Sequence, residues 1–314
     1  MGKTNRKGDE YIVTKIGVLL PTRESVMYHG TGDPRPLVQL AIEAETAGYD
    51  SVWAGDSLLA KPRAEPLTFL AAVAAATERV ELGTAVLIAS QRNPEQLAQA
   101  VATLDALSGG RFILGVGAGP GADNVRVDHE FVGANFDKRS SRVFEVTERC
   151  RALWAADNAP QMYPLPHRPS GPPIWMGGEG PRTLERTGRL ADGWFPITPD
   201  VPTFVTKLAA VRASAEAAGR DPDSLDIAMY VTVVVGEHAT AQAALAEHSE
   251  LYYNKPASEI ASWQAGCAGP VDEVVEFIHG FIDAGADHIC VRFATRDVSE
   301  QVHLLAEHLP DLRS

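Results

Sequence analysis

The chain has 314 residues, 45% of them hydrophobic, enough to bury a large core as one α/β barrel or as two smaller domains. Its formal net charge of −13 argues against a nucleic-acid or anionic-membrane surface, which needs clustered Lys and Arg, and favours a small-molecule site. Cys150, Cys267 and Cys290 are widely spaced without a CxxC pair, so the chain reads as a reduced, cytoplasmic protein with no disulfide framework and no structural zinc.

The opening "MGKTNRKGDEY" is polar and lacks the apolar run of a signal peptide. Residues 1–10 are expected to form a disordered tail ahead of one domain over 11–314. No later run is long enough to span a bilayer. After a first strand near 12–20, "AETAGYDSVWAGD" (44–56) carries a helix end through Gly48 and Asp50 into a strand near 51–54. That strand finishes on Asp56 and Ser57. "ERVELGTAVLIASQRNP" predicts a strand over 80–88, with Arg92 placed either to bind a phosphate or carboxylate or to pair with a surface acid. The next helix is legible at both ends: Asn93 as N-cap, Pro94 at the first position, Gln96 closing a capping box, and Gly109 or Gly110 as the stop.

"LGVGAGPGAD" (114–123) follows a strand near 111–116. Its G-x-G-x-x-A spacing fits a dinucleotide loop poorly, because Pro120 and a polar stretch come before the next expected helix near Asp137. Close backbone approach to a flat ligand explains these glycines better, with a merely flexible loop as the competing account. His129 falls in the long segment 117–137 and is the best-placed functional imidazole, against the commoner outcome of a solvent-exposed histidine. In "DKRSSRVFEVTERCRALW" the apolar spacing makes Cys150 a core residue. "PPIWMGGEGPRTLERTG" sets Gly177 and Gly178 between a strand near 173–176 and a helix start, either as an anion site with Arg182 or as a tight turn. Strands near 193–197, 226–235 and 287–293 complete the series, and the joints "GRLADGWFPIT" and "DAGADHICVRF" repeat the one at 44–56.

Strict β/α alternation through about eight units predicts a single (β/α)8 TIM barrel, with insertions after strands 4 and 7, over 117–137 and 236–269. In such a barrel the loops after the strands carry the site, which puts Asp56 and Ser57 at its rim. Tyr252, Tyr253 and Trp263 in the second insertion shape a pocket, a dimer contact or local core. No His and carboxylate spacing suggests a metal site, so a metal-dependent hydrolase is disfavoured.

Taken together, "AETAGYDSVWAGDS", "RNPEQLAQAVATLDALSGGRFILGVGAG", "HEFVGANFDKRSSRVFEVTERCRALW" and "PPIWMGGEGPRTLERTGRLADGW" closely resemble the bacterial-luciferase-like flavin oxidoreductases. The resemblance runs from about residue 15 to 198 and resumes in "GPVDEVVEFIHGFIDAGADHICVRFA". It implies a (β/α)8 barrel, commonly a homodimer, that binds FMN or the deazaflavin coenzyme F-420 without a metal and passes hydride or oxygen to a small organic substrate. It further implies that "GTAVL" underlies the flavin ring, with a cis bond at Ala85–Val86 and Thr84 as a polar neighbour. Gly117, Ala118 and Gly119 would line the ring edge, Gly177 and Gly178 would hold the cofactor phosphate, and Arg92 would assist. On the substrate side stand Asp56, Ser57 and His129. Two positions depart from the family's deazaflavin-dependent sugar-phosphate dehydrogenases: Ser57 where they have His, and Pro120 where they have Glu. A hydroxyl cannot replace imidazole as a near-neutral acid or base, so a non-catalytic flavin-binding protein is the alternative reading.

Overall fold

The computed structural model describes residues 6–7, 10–11, 13–30, 32–155 and 162–313. Its centre is a ring of eight parallel strands: β1 (Lys15–Leu19), β2 (Ser51–Ala54), β3 (Glu81–Thr84), β4 (Phe112–Gly117), β5 (Ile174–Met176), β6 (Gly193–Trp194), β7 (Asp226–Val235) and β8 (His288–Phe293). Each strand pairs with the next, and β8 pairs with β1, so the sheet closes into the expected barrel. The tail expected over residues 1–10 lies largely outside the described residues; within it, Arg6–Lys7 and Glu10–Tyr11 pair antiparallel.

The repeated Asp at the α-to-β joints has a physical function. Asp50, Asp192 and Asp287 each stand just before an even-numbered strand and accept the backbone N–H of a residue on the preceding odd-numbered one: Ile16 (2.8 Å), Ile174 (2.7 Å) and Ile227 (2.9 Å). At the β3–β4 joint Arg111 takes over, donating to the carbonyls of Ala74, Thr77 and Val80. Buried main-chain groups at the floor of the barrel are thus paired in four equivalent places. Gly48 and Gly285 adopt the left-handed conformation (φ +95° and +108°) that the joint requires.

The barrel interior is filled by aromatic rings. Trp53 stacks on Trp175 (centroids 5.3 Å apart), meets Phe195 edge-on (5.0 Å), and donates its indole N–H to Ser51 Oγ (2.7 Å). The Ser51 hydroxyl is in turn hydrogen-bonded to His288 Nε2 (2.7 Å), and burial pushes the His288 pKa down to about 3, so this imidazole is neutral. Gly17 and Gly83 make the room: a Cβ on Gly17 would lie 1.9 Å from Ser51 Oγ, and one on Gly83 would lie 2.1 Å from the Trp53 ring.

Three sequence expectations change. The strand expected over 80–88 is two pieces, because β3 stops at Thr84, Ala85–Val86 is cis, and pairing resumes with Leu87–Ile88 beside β4. The segment 117–137 contains a helix, Asp123–Phe131, rather than an unbroken loop. Hydrophobic periodicity misses it because two of its three buried side chains, Asp128 and His129, are polar. The segment after β7 holds the helix His238–Tyr253, the short helix Ala257–Ile260, and a strand, Gly266–Gly269, that pairs parallel with the end of β7. Asn93, Gly109 and Cys150 behave as expected: Asn93 caps by accepting from Gln96 N–H (3.0 Å), Gly109 is left-handed, and Cys150 is buried. Among the described residues no helix is long and apolar enough to cross a membrane.

Candidate active site

At the C-terminal mouth the chain builds a shelf and, facing it, a charged wall. The shelf is Val86, just past the cis bond, set against three glycines. A Cβ on Gly115 would come 2.0 Å from Thr84 O, one on Gly117 would come 2.6 Å from Val86 Cγ2, and one on Gly177 would come 3.3 Å from Val86 Cγ1. The glycines thus make room for Val86 and for the Thr84 carbonyl and put no side chain of their own at the strand ends. Thr84 lies beneath it, fully buried, with its hydroxyl donating to Gly115 O (2.6 Å) and joining β3 to β4. Ala118 is half-buried against the core, and Gly119 is left-handed (φ +71°) beside Val125. At the end of β5 the Gly177 N–H donates to Val116 O (2.8 Å), so it is spent on the barrel rather than offered to an anion. Gly178 (φ +108°) turns the chain towards the helix Pro181–Leu190, with Gly180 as its N-cap.

The substrate-side candidates have defined places. Asp56 accepts from Ile88 N–H (3.0 Å) and from Arg92 Nη2 (2.8 Å), and Arg92 also pairs with Glu65 (3.2 Å). Asp56 therefore ties the end of β2 to the chain just past the cis bond, and the Arg92 charge is committed to two carboxylates. Ser57 Oγ accepts from Lys61 N–H (2.9 Å), shaping the loop after β2. His129 is fully buried on the helix Asp123–Phe131. Its Nδ1–H donates to Val125 O (2.8 Å) and its Nε2 accepts from the Ser90 hydroxyl (2.9 Å), so the structure gives it a packing and bracing position.

Its neighbour Asp128, also fully buried, accepts from Leu59 and Ala60 N–H (2.9 and 3.0 Å) and lies 3.5 Å from Ser57 Oγ. This one helix thus holds the loops after both β2 and β3. Replacing Asp128 with Ala is expected to cost about 2 kcal/mol, because the two amides lose their acceptor. It should also lower activity by releasing the 57–63 loop. Urea unfolding alongside a turnover assay checks both, and an Asn variant that keeps an acceptor should recover part of each.

The charged wall was missed by the sequence reading. Arg292, near the end of β8, is almost fully buried and donates to the hydroxyls of Tyr230 (3.1 Å) and Tyr253 (2.8 Å) and to His248 Nε2. That donation leaves the His248 proton on Nδ1, which donates to Tyr28 Oη (3.2 Å); burial and the Arg292 charge keep this imidazole neutral. Arg292 also pairs with buried Glu24, from the helix Thr22–His29 after β1 (3.4 Å), and lies over the Tyr252 ring (3.9 Å). Lys61 Nζ sits over the same ring (4.4 Å) and over Tyr253 (3.9 Å), while Arg63 Nη2 donates to Tyr252 Oη (2.8 Å). Burial, then the charges of Arg292, Arg63 and Arg23, push the Lys61 pKa down to about 7. The available signal was the run "AKPRAEP" in the loop after the strand-two acid, together with the lone arginine in "HICVRF", an unusual residue for a buried strand.

Sequence comparison agrees with this architecture. The profile of the Luciferase-like monooxygenase family matches residues 14–273. The chain belongs to that family. It is a flavin- or F420-dependent oxidoreductase. An F420-dependent glucose-6-phosphate dehydrogenase of Nocardia farcinica is 30% identical over 321 residues, covering 90% of this chain and 95% of the relative. A phthiodiolone/phenolphthiodiolone dimycocerosates ketoreductase of Mycobacterium bovis is 35% identical over 232 residues, covering 62% of this chain and 60% of the relative. Among solved structures, an F420-dependent secondary alcohol dehydrogenase with a bound F420-acetone adduct superposes with a TM-score of 0.80 at 24% identity, over 96% of this chain and 99% of that one, a likeness of fold. Among the described residues no group of His, Cys, Asp and Glu could hold a metal ion.

Proposed function

We propose that the chain moves hydride between the deazaflavin coenzyme and a carbonyl or alcohol substrate. The observation that carries this reading is the bare backbone of Gly115, Gly117 and Gly177 packed against Val86 at the mouth, where any added Cβ would strike protein atoms. The choice of deazaflavin and of carbonyl chemistry is supported by the relatives, which are named as an F420-dependent dehydrogenase and a ketoreductase. The bound coenzyme would supply the hydride donor or acceptor; the protein supplies orientation and dryness. Val86 and the glycines support one ring face. The turn Gly178–Gly180 and the start of the helix Pro181–Leu190, with Arg182 beside it, hold the coenzyme phosphate through backbone N–H groups and the helix dipole. The stacked Trp53 and Trp175 close the barrel below and keep water out. Asp56 fixes the rim of the loop after β2. We further read the protein as a cytoplasmic homodimer, which its three free cysteines and the family resemblance support and sedimentation would test.

The test is a titration of the purified protein with coenzyme F-420 and, separately, with FMN, followed by fluorescence. Micromolar binding of the deazaflavin, with FMN weaker by about tenfold or more, is expected. The reverse preference would replace hydride transfer by FMN chemistry. Replacing Gly117 with Val should weaken coenzyme binding at least about tenfold, because the new side chain and Val86 cannot share the shelf.

A further inference from the structure

The charged wall holds more positive charge than its own acids balance. Lys61, Arg63 and Arg292 all lie within 5.9 Å of the Tyr252 ring centroid. Among the ion pairs of the described residues, the only carboxylate that meets any of the three is Glu24 on Arg292. Lys61 Nζ and Arg63 Nη1 have no hydrogen-bond acceptor among the described residues. Arg63 Nη1 lies over Gly55 at the end of β2, 2.2 Å from where a Cβ would stand, on the side of Ala85 O and the shelf. Half-buried cations without counter-charge are costly, and tyrosine faces return only part of that cost. A chain with a net charge of −13 that concentrates such an excess at its mouth presents a local attractive field to anions there.

We infer that Lys61 and Arg63, with the buried Arg292 charge behind them, form an anion subsite that seats a carboxylate or phosphate carried by the substrate; the assignment to substrate rests on the hydride-transfer reading above. The subsite stands at β8, β1 and β2, across the ring from the β5 turn proposed for the coenzyme phosphate. An anion at this wall therefore belongs to the other partner in the reaction. Tyr252 and Tyr253 hold the cations apart and oriented, and the Arg63 fork keeps one edge directed at the shelf. The reaction is thus reserved for carbonyls or alcohols that also carry an acidic group.

The first experiment is a calorimetric titration of the full chain with sulfate, without coenzyme. Binding in the millimolar range is expected, weakened at least about tenfold by Lys61→Met and by Arg63→Met. Arg63→Lys, which keeps the charge, should retain binding partly, and Arg126→Ala, at an exposed arginine paired with Asp137, should leave it unchanged. Circular dichroism establishes that each variant is folded. Absence of sulfate binding to the wild type, or equal affinity in the folded Lys61 and Arg63 variants, overturns the subsite. The second experiment titrates coenzyme F-420 into protein saturated with sulfate. Unchanged coenzyme affinity supports a substrate anion, while competition between the two assigns the anion to the coenzyme and overturns the substrate assignment. If the protein binds sulfate through Lys61 and Arg63 but binds no deazaflavin, the subsite stands and the hydride-transfer reading falls.

Discussion

Replacing Arg292 with Leu is expected to lower stability by about 3–5 kcal/mol and to abolish turnover, because it leaves one member of a buried ion pair alone. Glu24 is buried and has Arg292 as its nearest cation, at 3.4 Å, with neutral His248 at 3.8 Å. The substitution also strips a donor from the hydroxyls of Tyr230 and Tyr253 and from His248. The relief given to Lys61 and Arg63 is the smaller effect, since those cations lie nearer the solvent. Equilibrium unfolding in urea measures the loss. The double variant with Glu24→Leu should regain much of the stability, because a pair replaced together by apolar side chains leaves no stranded charge. It should regain no activity. A single Arg292→Leu variant as stable as the wild type would show that Glu24 needs no partner.

Replacing Gly83 with Ala is the second large effect, and it works through volume alone. The added methyl would lie 2.1 and 2.2 Å from two atoms of the Trp53 six-membered ring. Trp53 cannot retreat, because Trp175 stacks on one side, Phe195 and His288 close others, and Ser51 holds its N–H. Overpacking of this kind costs about 3 kcal/mol, at the upper end of small-to-large core changes. Thermal melting and the yield of folded protein are the readouts. Gly236→Ala serves as control: its Cβ would meet nothing closer than 3.8 Å, and a change of about 0.5 kcal/mol or less is expected. Combining Gly83→Ala with Trp53→Phe should restore part of the loss, which identifies the ring contact as the cause.

The barrel was legible because its signals are local. Gly48 and Gly285, the cap of Asn93 and the apolar stripe around Cys150 each announce a helix end or a core face within a few residues. Gly117 and Gly177 were singled out from the sequence, though only the fold shows that Val86 packs against them. The charged wall was not legible, since Glu24 and His248 stand on two different helices, Lys61 on a loop and Arg292 on a strand, and they meet only after closure of the barrel. The helix that carries Asp128 and His129 was hidden for another reason. It is held down by polar contacts, so it lacks the apolar stripe at helical spacing that marks an amphipathic segment.

The aspartates at the barrel floor bear on how such a protein can change. Asp50, Asp192 and Asp287 hold strand to strand through main-chain amides, so their hold is indifferent to the identity of the side chains at the opposite end. Stability is secured at one pole and chemistry is carried at the other, with a plug of tryptophan between them. Loops above the plug can therefore be exchanged, lengthened or recharged without loosening the foundation, which makes the scaffold a suitable recipient for transplanted specificity.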